Sequence, residues 1–307
     1  LSIKNVYKIP VAETLGKTTS DGAGVKLRRM FGSPSTVELT DPFLLLDHFG
    51  SNNRADYISG FPWHPHRGIE TVTYLADGKV VHEDSTGNRG VIYPGDIQWM
   101  TAGSGIFHQE MPQPLETSDT DALLHSSGIK DNVAGFQLWI NLPASSKMKS
   151  PVYRGIKGSS VDEIKDNGAY IKVIAGSFMD ATGKLDYPSA VDPTYLDIRM
   201  ESNSFLNIPV KQGYTSIVYS FSGNASIEGS SSTLTAGKLM IFSAEGEKIG
   251  IRTDDNEIRF IFLSGRPLRE AVQWYGPIVM NTGEQIEEAF RELRNGTFIK
   301  EKNPIFQ

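Results

Sequence analysis

The stretch GFPWHPHRGIETVTYL (60–75) opens with Gly and Pro and closes in an apolar β-type run. Its second half, GIETVTYL (68–75), is one of many runs rich in Val, Ile, Tyr, Phe and Thr. Others are GVIYPGDIQWMT (90–101), GFQLWINLP (135–143), AYIKVIAGSF (169–178), TYLDIRME (194–201), YTSIVYSFSGNASIEG (214–229), KLMIFS (238–243) and EIRFIFLSG (257–265). Each is bounded by Gly, Pro, Asn or Asp, which end strands in turns. Short strands at this density predict an all-β sandwich or barrel. The 30 Gly and 16 Pro supply the turns it needs.

A length of 307 residues allows one long domain or two medium ones, either able to bury a substantial core. With 39% hydrophobic and 21% charged residues the chain is globular rather than disordered. It has no Cys, which excludes disulfides, thiolate metal sites and Cys nucleophiles and fits a reducing compartment. The longest apolar stretches, such as Phe43-Leu44-Leu45-Leu46, fall far short of the ~20 residues that span a bilayer. The first residues, LSIKNVYKIP, lack the apolar core of a signal peptide. Net charge is −6 and neither half carries a basic excess, so direct nucleic-acid binding is not expected. With no nuclear-import run either, the expected location is the cytoplasm.

A polar, Gly-rich seam at 143–168 divides the chain, predicting domains at 1–142 and 143–307. The two sides share a weak repeat: YPGDIQWM (93–100) and TAGKLMIF (235–242) each lead through a Gly turn into an apolar strand. Gly229-Ser230-Ser231-Ser232 reads as a hairpin tip. Near the end, Asn281-Thr282 starts a helix that stops near Gly296. Ile286, Ala289, Phe290 and Leu293 form one apolar stripe on it that must pack on something.

All six histidines (His48, His64, His66, His82, His108, His125) lie between 48 and 125, so only the first half can carry an imidazole-based site. His64-Pro65-His66 and His108-Gln109-Glu110 are both i, i+2 pairs. On a strand, residues two apart face the same way. Two strands presenting such pairs inward offer three imidazoles and a carboxylate to one point. That donor set suits a divalent first-row metal with open positions, and iron, manganese, nickel, copper, cobalt and zinc are all admissible. A lone H-x-H is weak, and Pro65 makes its segment an edge or a strand entrance. Glu70, four residues after His66, is a fourth ligand, a residue supporting the ligands, or a surface carboxylate.

The remaining histidines read differently. His82, in VVHEDSTGN, falls in a polar turn, at the surface or behind the ligands. His48 follows FLLLD at the barrel mouth, and His125 is a structural loop residue. Ser104 fails the G-x-S-x-G pattern of a nucleophile elbow. Neither a P-loop nor a dinucleotide fingerprint is present.

GFPWHPHRGIET (60–71), with PGDIQWMTAG (94–103) and GIFHQEMP (105–112), resembles the signature of the pirin family. DPFLLLD (41–47), QLWINL (137–142) and GPIVMNT (276–282) extend the resemblance over nearly the whole chain. It implies a bicupin, two β-barrel or jelly-roll-like domains face to face, with metal only in the first. The family's ligands fall on His64, His66, His108 and Glu110, with Fe(II) the usual metal. Glu70 stands at the ordinary cupin carboxylate position, whereas pirins resemble a variant using the later Glu. The resemblance also implies that the C-terminal helix packs back on the N-terminal domain. Trp63 departs from the pattern and alters the pocket rim.

The resemblance further implies a metal-dependent quercetin 2,3-dioxygenase activity. A flavonol would chelate the metal, which lowers its hydroxyl pKa. Glu110, or a carboxylate beside it, takes the proton as general base, and oxygen then opens the ring with loss of carbon monoxide. Asp47, Phe61, Arg67 and Trp99 are the expected pocket lining, though each also reads as scaffold. The alternative is an iron-dependent regulatory protein binding protein partners, as a transcriptional co-regulator or a modulator of a metabolic enzyme. A third reading is a cupin acting on another small enol or diketone.

Overall fold

The computed structural model describes residues 7–185 and 189–300. Contacts gather the chain into two compact units. Among the described residues, one comprises 7–16, Glu38–Pro42 and the parts of 160–268 on either side of 186–188; the other comprises Lys17–Val37, Phe43–Ser159 and 269–300. All six histidines fall in the latter.

This division departs from a cut at 142/143, and the reason is pairing. Within the seam, Val152–Ile156 hydrogen-bonds along Ile97–Thr101 as an edge strand of the histidine-bearing unit. Conversely, Pro10–Thr14 pairs with Leu239–Phe242 in the other unit. The C-terminal helix also belongs to the histidine-bearing unit rather than to the second half.

Two antiparallel sheets build the histidine-bearing unit. The seven-stranded sheet runs Val152–Ile156, Ile97–Thr101, Ile69–Asp77, Val133–Asn141, Phe43–Ser51, Val25–Phe31, Lys17–Asp21. The four-stranded sheet runs Phe61–His66, Ile106–Gln113, Lys79–Asp84, Arg89–Ile92. Val25, Leu27, Phe49 and Leu75 of the first meet Val80 and Ile92 of the second in one buried cluster. Along Ile106–Gln113 burial alternates strictly, the period of a strand with one face inward.

The C-terminal segment completes this unit. A short ribbon, Gln273–Tyr275 with Ile278–Met280, leads into the helix Gly283–Asn295. Thr282 caps the helix, accepting from Gln285 N, while Gln285 bonds back to the cap. Gly296 ends it at φ 68°, the left-handed conformation that Gly adopts without penalty. The expected stripe of Ile286, Ala289, Phe290 and Leu293 packs with Ile278, Met280, Phe107 and Phe298.

In the other unit, strands Ala169–Ala175, Thr194–Met200, Thr215–Ile227 and Ile258–Gly265 form the middle of a sheet. Its interior is filled by apolar side chains such as Leu196, Ile208, Val218, Met240 and Phe260, all fully buried. The hairpin tip expected at 229–232 joins Thr215–Ile227 to Thr233–Thr235. The repeat is visible in backbone conformation: Gly95 (φ 88°) and Gly237 (φ 83°) turn the chain just before Ile97–Thr101 and Leu239–Phe242. No described helix is long and apolar enough to cross a membrane.

Candidate metal centre and cavity

Strand pairing brings the expected residues together. His108 lies directly across from His64, and Ile106 from His66. Period two then puts His64, His66, His108 and Glu110 on one face of the four-stranded sheet. His64, His66 and His108 offer ring nitrogens within 4.8 Å of one another, an arrangement that could hold a metal ion.

Two of the rings have a defined proton. His64 Nδ1 lies 2.8 Å from the Pro62 carbonyl, and His66 Nδ1 lies 3.2 Å from that of Pro277. A carbonyl oxygen only accepts, so each Nδ1 carries hydrogen, which leaves Nε2 as the ligating atom. His108 is fully buried, and neither of its ring nitrogens has a partner among the described residues. An unsatisfied buried polar atom costs about 1–3 kcal/mol, so two on one ring point to a ligand. Burial first, and then the neighbouring His64, hold His66 and His108 well below the usual imidazole range. They are therefore neutral, the form that binds metal. On donor chemistry, burial and orphaned nitrogens, these residues fit a divalent cation.

Glu110 is nearly buried, and both of its donors reach Oε1: Thr73 Oγ1 at 2.9 Å and Gln98 Nε2 at 3.0 Å. It gathers with His108 and His82 into a second group whose ligating atoms also lie within 4.8 Å. His108 is thus common to both groups.

His82 is expected in a polar turn, at the surface or behind the ligands, and the structure places it on a strand. It is 1% exposed on Lys79–Asp84, across from Glu110, rather than in a surface turn. Asp84, two residues on, faces the same way and lies 3.4 Å from His82 Nε2. Burial raises the Asp84 carboxyl, but hydrogen bonds from His82, Thr86 and Asn88 outweigh it and hold it below the usual range. Tyr153 stacks on His82 at 4.8 Å, its phenol pushed up to about 12 by burial and nearby carboxylates. The signal is present as a second alternation, Val80-x-His82-x-Asp84, hidden by the turn that follows.

A cavity of about 710 Å³ opens beside the cluster, lined by His64, His66, Glu110 and the aromatic rings of Phe61, Trp139 and Trp274. Asp47 and Phe61 line it as expected, and Trp63 stands at its lining with 44% of its surface exposed. Arg67 and Trp99 do not line it. Each sits one position from an inward residue, His66 and Gln98, and so points to the other face. Arg67 donates to the Ser104 carbonyl (2.7 Å), Glu292 (2.6 Å) and the Phe298 carbonyl (2.9 Å), with its guanidinium 4.2 Å from the Phe298 ring centre. Trp99 is fully buried and donates to Glu70.

Glu70 also accepts from Thr101 Oγ1 at 2.9 Å and lies 3.5 Å from Lys149 Nζ, outside both histidine groups. His48 stacks on Phe136 at 4.7 Å and does not line the cavity. His125 sits exposed on a turn.

A two-sheet β unit with clustered histidines at a cavity, accompanied by a second, apolar-filled β unit, defines a protein with two cupin-type domains. Residues 24–140 match the pirin family and residues 195–299 the pirin C-terminal cupin domain. The chain belongs to the pirin family. A Thermoplasma acidophilum protein named "Putative quercetin 2,3-dioxygenase" is 46% identical over 266 residues, covering 84% of this chain and all of that protein. Pirin of Homo sapiens is 35% identical over 285 residues, covering 92% and 90%. The crystal structure of quercetin 2,3-dioxygenase from Acinetobacter baumannii superposes with a TM-score of 0.82 at 30% identity, covering 95% of this chain and 98% of the other.

Proposed function

We propose that the protein is a metal-dependent dioxygenase that cleaves flavonols such as quercetin with O2, its ion held by His64, His66, His108 and Glu110. The observation that carries this is His108: a fully buried imidazole with both nitrogens unpartnered, beside two rings whose Nδ1 atoms are already engaged. The names and fold of the relatives support the choice of reaction class.

Bound there, a divalent ion, Fe(II) by the resemblance to the family, would act as a Lewis acid on a vicinal hydroxyl and carbonyl. The rest belongs to the chain. Glu110, lining the cavity, takes the proton of the enol hydroxyl. Gln98 and Thr73 hold the Glu110 carboxylate through Oε1. Phe61, Trp139 and Trp274 provide apolar walls that orient a planar ring system and displace water from it.

The test is quercetin-dependent oxygen uptake by Fe(II)-loaded protein, with His108→Ala alongside. Uptake in the wild type that vanishes in the variant is the expected result. No uptake from protein with a filled iron site would overturn the flavonol assignment. Capture of protein partners would then be the measurement for the iron-dependent regulatory reading.

A further inference from the structure

A row of polar side chains crosses five neighbouring strands of the seven-stranded sheet. The register sets Arg29 opposite Asp47, Asp47 opposite Gln137, Gln137 opposite Thr73, and Thr73 opposite Gln98. Directly opposed residues share a face, so strand pairing rather than a loop fixes the row. Arg29, Asp47, Gln137 and Thr73 all line the cavity.

The two ends of the row differ. At one end Gln98 and Thr73 both reach Glu110. At the other, Arg29 clamps Asp47 through Nε (2.9 Å) and Nη2 (2.7 Å), and Nη2 also meets Asp21 at 2.7 Å. Two carboxylates thus match the one guanidinium, which disfavours an anionic ligand. In the middle, Gln137 Oε1 lies 2.6 Å from Thr73 Oγ1, whose single proton it shares with Glu110 Oε1, while the Gln137 amide nitrogen has no partner among the described residues. Asp47 accepts only from Arg29 among the described residues, and a carboxylate has about four lone-pair sites. The middle of the row therefore offers one amide donor and one carboxylate acceptor to the cavity.

Adjacent strands lie about 4.8 Å apart. Asp47, two strands from Thr73, is thus on the order of 10 Å from the Glu110 end of the row. That reach corresponds to the separation between the chelating oxygens of a flavonol and hydroxyls on its pendant ring. We propose that Gln137 and Asp47 form a distal subsite that selects phenolic hydroxyls on the far ring, Asp47 accepting and Gln137 donating. This rests on the flavonol reading of the same cavity and adds to it a preference among flavonols.

The test compares two ligands, quercetin and a flavonol whose pendant ring bears no hydroxyl. Each is titrated anaerobically into Zn(II)-loaded protein and followed by tryptophan fluorescence quenching. The wild type is expected to bind quercetin roughly tenfold more tightly, the scale of one to two net hydrogen bonds. Gln137→Leu and, separately, Asp47→Asn should each reduce that ratio toward one by weakening quercetin alone. Equal binding by the wild type would overturn the subsite and leave the flavonol reading standing. So would a ratio that persists in both variants. Binding of neither ligand would overturn both.

Discussion

His108 shows how a single side chain can be unfavourable for the fold and yet suit the proposed metal site. Leu would fill its space without two orphaned nitrogens. In metal-free protein His108→Leu is therefore expected to raise stability by about 1–2 kcal/mol. The same change should weaken metal binding by at least about 100-fold, since loss of a group merely supporting a ligand costs 10–100-fold. Urea unfolding of the metal-free forms, with competition against a chelator, reads both; a less stable metal-free variant would contradict the account. His48 gives a pH prediction. Burial and then the charge of Arg28 push its imidazole down to about 4, against about 6.5 when unfolded. Between those values the unfolded chain binds the proton and the folded chain does not. Its contribution is therefore complete above about pH 6.5 and lost as pH falls toward 4. His48→Phe, which can keep the stack on Phe136, should flatten that part of the stability profile in urea melts near pH 4.5 and 7.

At the scale of elements, the strand period alone makes the cluster legible in the sequence. H-x-H and H-x-E put both members of each pair on one face whatever the partners are, and pairing then sets His64 against His108. The same rule, applied to neighbours, separates inward His66 and Gln98 from Arg67 and Trp99. Proximity to a motif suggests the opposite, because adjacency in sequence says nothing of parity. His82 is hidden by its polar neighbours, and the row from Arg29 to Gln98 by distance, its members being scattered over five strands. No local pattern can assemble them. Gly68 shows how tightly the element carrying His64 and His66 is held. Its φ is 80°, and a Cβ there would stand 1.9 Å from the Val279 carbonyl oxygen. Gly68→Ala should cost roughly 2–4 kcal/mol through strain and displacement of the 278–280 strand. A change below about 0.5 kcal/mol in a denaturant melt, the size of ordinary surface substitutions, would show the contact to be unimportant.

On the scale of the molecule, the ends of the chain cross over. Residues 269–300 belong to the histidine-bearing unit, and Pro10–Thr14 joins the other. The polar seam marks a change of composition correctly, but hydrogen bonding between distant strands decides which unit owns it. Arg67 and Glu292, separated by 225 positions, form the clearest tie within the histidine-bearing unit. Glu292→Ala leaves the fully buried guanidinium without its counter-charge, and about 3 kcal/mol or more should be lost. Differential scanning calorimetry would show it as a large fall in Tm, while an unchanged Tm would mean that the carbonyls of Ser104 and Phe298 suffice.

The hydrogen bond from His66 to the Pro277 carbonyl also has a meaning in time. Translation delivers His64, His66 and His108 long before it delivers Pro277. On the ribosome the nascent strands hold their imidazoles without the carbonyl that fixes the His66 tautomer or the helix that anchors Arg67. The site matures only when the 269–300 stretch emerges. Tautomer control at His66 is therefore completed late in synthesis, well after the strands that carry the imidazoles.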